Sequence, residues 1–269
     1  MKNIIYESLT YNDPVLPIIF HLDKLEKNQI FLSHWHENIE LLYVIEGCIS
    51  VFTEQGYERV KKGGIAVVNS GSLHKISADE DSMYYCLIID NEMYEKFSFS
   101  LGSVIFENLI VDKKLTDKYK GIVKELENKK PYHKAAVKSA IIDMIVYLSR
   151  YYVIKKVPDN EYCPDTKIQT VKTTIKYIQE EYNKNISTSG IARFVGLSDA
   201  YLCRLFKELT GYTVMHYINL FRCQKAKMLI RSENYTVSEA AFACGFENLS
   251  YFTKTYKRYI GNVPSEKAY

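Results

Sequence analysis

Apolar residues over roughly the first 110 positions come in short runs broken by small and polar clusters. The runs "IELLYVI" (39–45), "GCISVF" (47–52), "GIAVVN" (64–69) and "MYYCLII" (83–89) are separated by Gly, Asn, Ser and Asp. Short runs at near-regular spacing with turn residues between them predict the strands of a sandwich or barrel. From Leu115 the period becomes helical: "KLTDKYKGIVKELENKK" carries apolar residues at 115, 119, 122, 123 and 126. After Pro131, the stretch 135–154 ("AAVKSAIIDMIVYLSRYYVI") predicts a helix with two apolar stripes. Val137, Ile141, Met144, Leu148 and Tyr151 step four-three-four-three, the spacing of a short coiled-coil seam. Ile142, Ile145 and Tyr152 suit packing on the barrel. Such a helix fits between its own domain and a partner, or full burial in a monomer. "KKVPDNEYCPDTK" (155–167), with two prolines and mixed charge, is the candidate linker. Beyond it the pattern is helical. The expected division is 1–156 and 165–269.

The helical part contains an internal repeat. "SGIARFVGLSDAYLCRLFKELTG" (189–211) aligns with "SEAAFACGFENLSYFTKTYKRYIG" (238–261), pairing Gly196 with Gly245 and Gly211 with Gly261. Each copy reads as a short helix, a turn at glycine and a second helix. Ser198 is placed to cap the second helix of the first copy, Asn248 that of the second. Leu202, Leu205, Phe206 and Leu209 form one inward stripe; Phe252, Thr255, Tyr256 and Tyr259 form the other. The opposite faces show Asp199, Ala200, Cys203, Arg204 and Lys207, and Ser250, Thr253, Lys254 and Lys257. A helix-turn-helix needs such a small-plus-basic exposed face to enter a major groove. A generic pair of helical hairpins shares the inward stripes.

Charge sharpens the contrast between the halves. The net charge of +3 conceals a last part, residues 165–269, with 15 Lys and Arg against 9 Asp and Glu; the preceding 164 residues carry 20 against 23. A basic C-terminal part suggests a polyanion partner. With 47% hydrophobic and 25% charged residues, the composition is that of a globular protein with a real core. No apolar run reaches the ~18 residues that span a bilayer, and "MKNIIYESLTYNDP" lacks signal-peptide features, so the expected location is cytoplasmic. Six cysteines, no two closer than twenty positions, offer neither a metal knuckle nor a disulfide framework and read as mostly buried thiols.

The stretch 186–264 resembles the DNA-binding domain of the AraC/XylS family of bacterial transcription regulators. The resemblance rests on "IARFVGLSDAYLCRLFKELTGYT", "YINLFRCQKAKMLI" (217–230) and "VSEAAFACGFENLSYFTKTYKRYIGNVPSEK" (237–267), including Gly245-Phe246, Tyr251-Phe252, Tyr256-Lys257, Gly261 and Pro264. Val214, where the second half has Pro264, and the large Cys244 in the turn depart from it. The resemblance implies two helix-turn-helix units held by a long helix, about 213–232. It implies base contacts from Asp199, Ala200, Cys203 and Arg204, then Leu249, Ser250, Thr253 and Lys254. Ser198 and Asn248 would sit at the helix starts, and Lys207 and Lys257 would meet phosphates.

In the first part, "SHWHENIELLYVIEG" (33–47) places His34, His36, Glu40 and Gly47 as in the first motif of the cupin barrels. The second motif resembles "GGIAVVNSGSLHKISA" (63–78), with Gly71 and His74 present but Asn69 in a Pro position and Ala78 in an Asn position. Two or three imidazoles and a carboxylate suit Fe(II), Mn(II), Ni(II) or Zn(II). On a straight strand Glu40 would lie ~13 Å beyond His36, so a turn through Glu37-Asn38 is needed. Sensor domains of AraC-type regulators are cupin-like, and there such residues hold a metal, line an effector pocket or serve the scaffold. Tyr43, Phe52, Tyr57, Tyr84 and Tyr85 could add an aromatic wall, or pack as ordinary core.

The expected fold is two-domain α+β: a cupin-like β-barrel with a helical extension, then an all-α domain of two helix-turn-helix units joined by a long helix. The expected function is a sequence-specific, effector-controlled transcription regulator and not an enzyme. Its expected partners are double-stranded DNA, a small-molecule effector, a second copy bound through residues 135–154 and, for an activator, RNA polymerase, with no membrane. A constitutive DNA-binding protein whose barrel only dimerises, and a metal-dependent cupin enzyme with a DNA-binding appendage, are the alternatives.

Overall fold

A computed structural model describes residues 13, 15–95, 104–156, 166–231 and 235–265. The chain divides into two compact units, one within Ser8–Cys163 and one within Pro164–Tyr269. Most of the candidate linker, residues 157–165 with Cys163, lies outside the described residues.

The first unit runs β1 (Ile18–Leu25), β2 (Ile39–Glu46), β3 (Cys48–Thr53), β4 (Gly56–Lys61), β5 (Ile65–Val68), β6 (Lys75–Ala78), β7 (Ser82–Ile89), α1 (Glu92–Glu95), β8 (Val104–Phe106), β9 (Leu109–Ile110), α2 (Lys113–Asn128), α3 (His133–Tyr151) and β10 (Val153–Lys156). Antiparallel strands form a sheet in the order β1-β7-β2-β5-β9, a second in the order β4-β3-β6, and a β8-β10 pair. Bridges from Ile30 to Ser77 and from His34 to His74 lay the segment before β2 alongside β6. That segment therefore links the two sheets.

β2 explains why the unit folds around the site. Ile39, Leu41 and Tyr43 enter one core with Leu115, Tyr119 and Ile122 of α2 and Val137, Ile141, Met144, Ile145 and Leu148 of α3. The Tyr119 hydroxyl is 3.1 Å from the carbonyls of both Leu41 and Tyr85, fastening α2 across β2 and β7. Because side chains alternate along a strand, Glu40 and Leu42 face the other way.

This packing corrects the expected seam. Val137, Ile141, Met144 and Leu148 are buried in their own unit rather than offered to a partner, and of that stripe only Tyr151 is exposed. α2 and the sheet together cover a face wide enough to take both stripes. The helix also ends at Tyr151, before the expected 154: the β-branched Val153 opens β10 and pairs with Phe106 of β8, and Ile154 follows it at a bulge.

Asn69, in the cupin Pro position, has a definite task. Its Oδ1 accepts from Phe106 N at 2.8 Å and its Nδ2 donates to Phe106 O at 3.0 Å, so one side chain pairs with β8 as a neighbouring strand would. Ala78, in the Asn position, is buried in β6.

The second unit runs α4 (Thr166–Glu181), α5 (Thr188–Phe194), α6 (Asp199–Thr210), α7 (Val214–Arg231), α8 (Val237–Ala243) and α9 (Leu249–Ile260). α7 packs on α6, α8 and α9. Side chains of Ser187, Ser198, Thr236 and Asn248 cap α5, α6, α8 and α9, and Thr236 forms a reciprocal capping box with Glu239. Gly245, at φ +79°, makes the second turn; a Cβ there would lie 2.7 Å from Tyr182 O, so the position requires glycine. Cys244 is no strain at that turn: it is fully buried beside Cys223 and Ala241.

Candidate functional site

The chain bends at Glu37 and Asn38 before β2 starts at Ile39. The bend carries Glu40 back to the imidazoles: ligand atoms of His34, His36, Glu40 and His74 all lie within 4.8 Å of one another, and all four residues are buried. A metal bound at ~2.1 Å holds its ligand atoms at most about 4.2 Å apart, so the cluster would contract to close around an ion.

Each ring is oriented by the main chain. Nδ1 of His34 lies 2.8 Å from Leu32 O, Nδ1 of His36 is 2.8 Å from Asn38 O, and Nδ1 of His74 is 2.9 Å from Ser72 O. A carbonyl oxygen only accepts, so every Nδ1 carries its proton and a neutral ring presents a bare Nε2 lone pair to the cluster. The same orientation by backbone carbonyls is what fixes metal-bound imidazoles. The loop before His74 is itself held: the Glu54 carboxylate accepts from Ser72 Oγ and, at 2.7 Å, from Leu73 N.

Glu40 Oε2 lies 3.2 Å from His36 Nε2 and 3.1 Å from His74 Nε2. Burial alone would raise the Glu40 pKa, but the facing imidazoles hold it well below the usual carboxylate value, so Glu40 is ionised. Burial first, and then the neighbouring His74 ring, depress the His34 pKa to about 3, so His34 stays neutral. His74 Nε2, although close, is aimed wrongly for a hydrogen bond and is a buried atom without one. A carboxylate and three imidazole nitrogens, one of them this orphaned atom, fit a divalent transition ion, which would supply a Lewis-acidic anchor for a small ligand.

Tyr43 does not join the cluster. Three positions along β2 from Glu40, it faces the helices and packs on Tyr119 with ring centroids 5.3 Å apart. Tyr85 likewise turns outward and stacks on Phe20, while Phe52 and Tyr57 pair in the other sheet. Tyr84, paired with Val44, is buried on the same sheet face as Glu40, so these five residues divide among different surfaces.

In the second unit α6 and α9 have twelve residues each and end at left-handed Gly211 and Gly261. Ser198, Asp199, Ala200, Cys203, Arg204 and Lys207 are exposed, as are Asn248, Leu249, Ser250, Lys254 and Lys257; Thr253 is half-buried. Several of these groups already have intramolecular partners. Asp199 accepts from Ser189 Oγ, the Arg204 guanidinium lies 5.3 Å from the Tyr201 ring centroid, and Thr253 Oγ donates to Leu249 O at 2.9 Å. The last contact leaves the Thr253 methyl as its outward chemistry.

Three contributors were not singled out from sequence. Arg222 is buried and donates from Nε to Tyr182 O and from Nη2 to Lys184 O, both at 2.7 Å, closing the end of α4. Asn219 Nδ2 donates to Tyr251 OH at 3.0 Å, fixing a side chain of α9 to α7. Cys86 meets Glu40 in the first unit. A basic residue in the middle of an apolar helix face was the available signal for Arg222; the other two depend on pairings remote in sequence.

Two protein families match the chain: the AraC-like ligand binding domain over residues 18–141 and a Helix-turn-helix domain over residues 191–268. The uncharacterized HTH-type transcriptional regulator YdeC of Bacillus subtilis is 25% identical over 252 residues, which cover 86% of this chain and 84% of YdeC. An uncharacterized HTH-type transcriptional regulator of Staphylococcus aureus is 21% identical over 83% of this chain but only 30% of its own length. Among solved structures, ToxT from Vibrio cholerae with an unsaturated fatty acid bound shares the fold with a TM-score of 0.52 at 13% identity, covering 92% of this chain and 93% of that one.

Proposed function

The chain belongs to the AraC/XylS family of DNA-binding transcription regulators, which are not enzymes, and on that premise we propose that it reads two successive major-groove segments under the control of an effector held at His34, His36, Glu40 and His74. The observation that carries the DNA half is a geometry made twice: two equal helices, each capped at both ends, each with an exposed small-plus-basic face. Asp199, Ala200, Cys203, Arg204, Leu249, Ser250, Thr253 and Lys254 address bases; Lys207 and Lys257 address phosphates, with Ser198 and Asn248 at the helix starts. At ~1.5 Å per residue, α7 is about 27 Å long. Successive groove faces are ~34–36 Å apart, so the DNA bends to meet both helices.

For the first unit the reading is a divalent transition ion, supported by the orphaned His74 Nε2 within four converging donors. The ion leaves positions for a small-molecule effector, which shifts regulation by binding two conformations unequally. A homodimer through residues 135–154 is part of the proposal, and it uses the outer face of α3, where Ala135, Ala136, Ser139, Asp143 and Arg150 are exposed. Activation through RNA polymerase completes it.

Native mass spectrometry of the full-length protein, paired with selection of binding sites from random DNA, tests the reading. A dimer with a metal increment that His36→Ala removes, and a recovered consensus in two blocks, is the expected result. A bare polypeptide mass removes the metal. Equal affinity for selected and random DNA removes the regulator.

A further inference from the structure

Glu40 has two carboxylate oxygens, and the cluster uses one. Oε2 faces the imidazoles, whereas Oε1 accepts from Cys86 Sγ at 3.2 Å. Strand register makes the meeting: Glu40 pairs with Ile88 and Leu42 with Cys86, so Cys86 lies diagonally across from Glu40 on the same face of the sheet. Both residues are 2% exposed. A thiol is a weak donor, yet in a site closed to water no solvent molecule replaces it.

Carboxylates bind ions through one oxygen or through both. The choice fixes how many positions remain for anything else. We propose that Cys86 is a positioning residue of the metal centre: its thiol holds Oε1 away, so that Glu40 coordinates through Oε2 alone and one position stays open for an exogenous ligand. This rests on the reading that the cluster holds a divalent ion. Cys86 is not itself a ligand, because ligation would require loss of its proton and of its contact with Oε1.

Co(II) added to the metal-depleted full-length protein tests both statements separately. The visible bands of bound Co(II) report the geometry, and the near-ultraviolet reports any thiolate bond. The wild type is expected to bind Co(II) without a thiolate charge-transfer band, and azide is expected to shift its visible bands. Cys86→Ala should weaken Co(II) binding about ten- to a hundred-fold and change the visible bands, while Cys86→Ser, which keeps a donor, recovers both. An alanine variant identical to wild type overturns the positioning role and leaves the metal reading intact. A thiolate band in the wild type that disappears in the alanine variant overturns it too, by making Cys86 a ligand. No Co(II) bound by the wild type overturns the metal reading and the proposal with it. The wild-type spectrum needs no variant, so the proposal remains open to refutation even if Cys86→Ala does not fold.

Discussion

Arg204 and Arg222 show what position does to one kind of side chain. Arg222 points into the second unit and is spent on two main-chain oxygens at the end of α4. Arg204 stands exposed on α6, resting near the Tyr201 ring, which limits the conformations it must abandon to reach a base. A guanidinium so placed suits bidentate contact with guanine. Arg204→Ala is expected to cost ~1–3 kcal/mol on the specific site and to relax preference at one base pair; titrations against operators changed at single positions measure this. An equal loss on random DNA would reduce Arg204 to a phosphate contact. The exposed faces of α6 and α9 were legible because a period of 3.6 and local capping residues mark them. Tyr43 was misplaced for a reason that the sequence also contains. An odd separation from Glu40 on one strand puts it on the other face.

At the scale of elements, two side chains hold strand and helix ends that the hydrophobic pattern leaves loose. Asn69 ties β8 to the loop that carries His74, and β8 in turn pairs with β10. Asn69→Ala leaves a buried N–H and C=O of Phe106 without that partner and is expected to destabilise the first unit by about 1–3 kcal/mol, read by denaturant melting. Asp112 caps α2 through Oδ1, while its Oδ2 lies 2.5 Å from Tyr152 OH and 2.7 Å from Tyr147 OH at the end of α3. Those two hydroxyls, Tyr152 before Tyr147, lower its pKa below the ordinary carboxylate value. The unfolded chain therefore takes up this proton at a higher pH than the folded one. The stabilisation is complete above pH ~4 and is lost as pH falls toward the lowered value. Thermal melting as a function of pH should show an acid limb that Asp112→Asn flattens. β1, β4 and β6 were not marked out in sequence. β4, "GYERVK", is largely polar at a sheet edge, and β8 and β9 are too short to carry a period. Cys86 beside Glu40 needs a strand register spanning 46 positions, which no local pattern reports.

Across the whole molecule, each unit has its own core, one of sheet and helices, the other of helices alone. Ligands should therefore stabilise them separately by mass action. In calorimetry, removing metal with a chelator is expected to lower one transition and leave the other unmoved, while operator DNA raises the second. A single transition that shifts with both additions would mean that the two cores melt as one. The repeat itself carries a last consequence. Its first copy offers an acid, a thiol and a guanidinium; its second offers a leucine, a hydroxyl, a threonine methyl and an ammonium. Its two words are therefore different, and the sequence they spell has a head and a tail. A chain of this kind needs no palindrome to choose its site, but it does acquire a direction on the DNA. Inverting the site beside a promoter would turn the protein end for end and present the opposite side of it to whatever is bound next door.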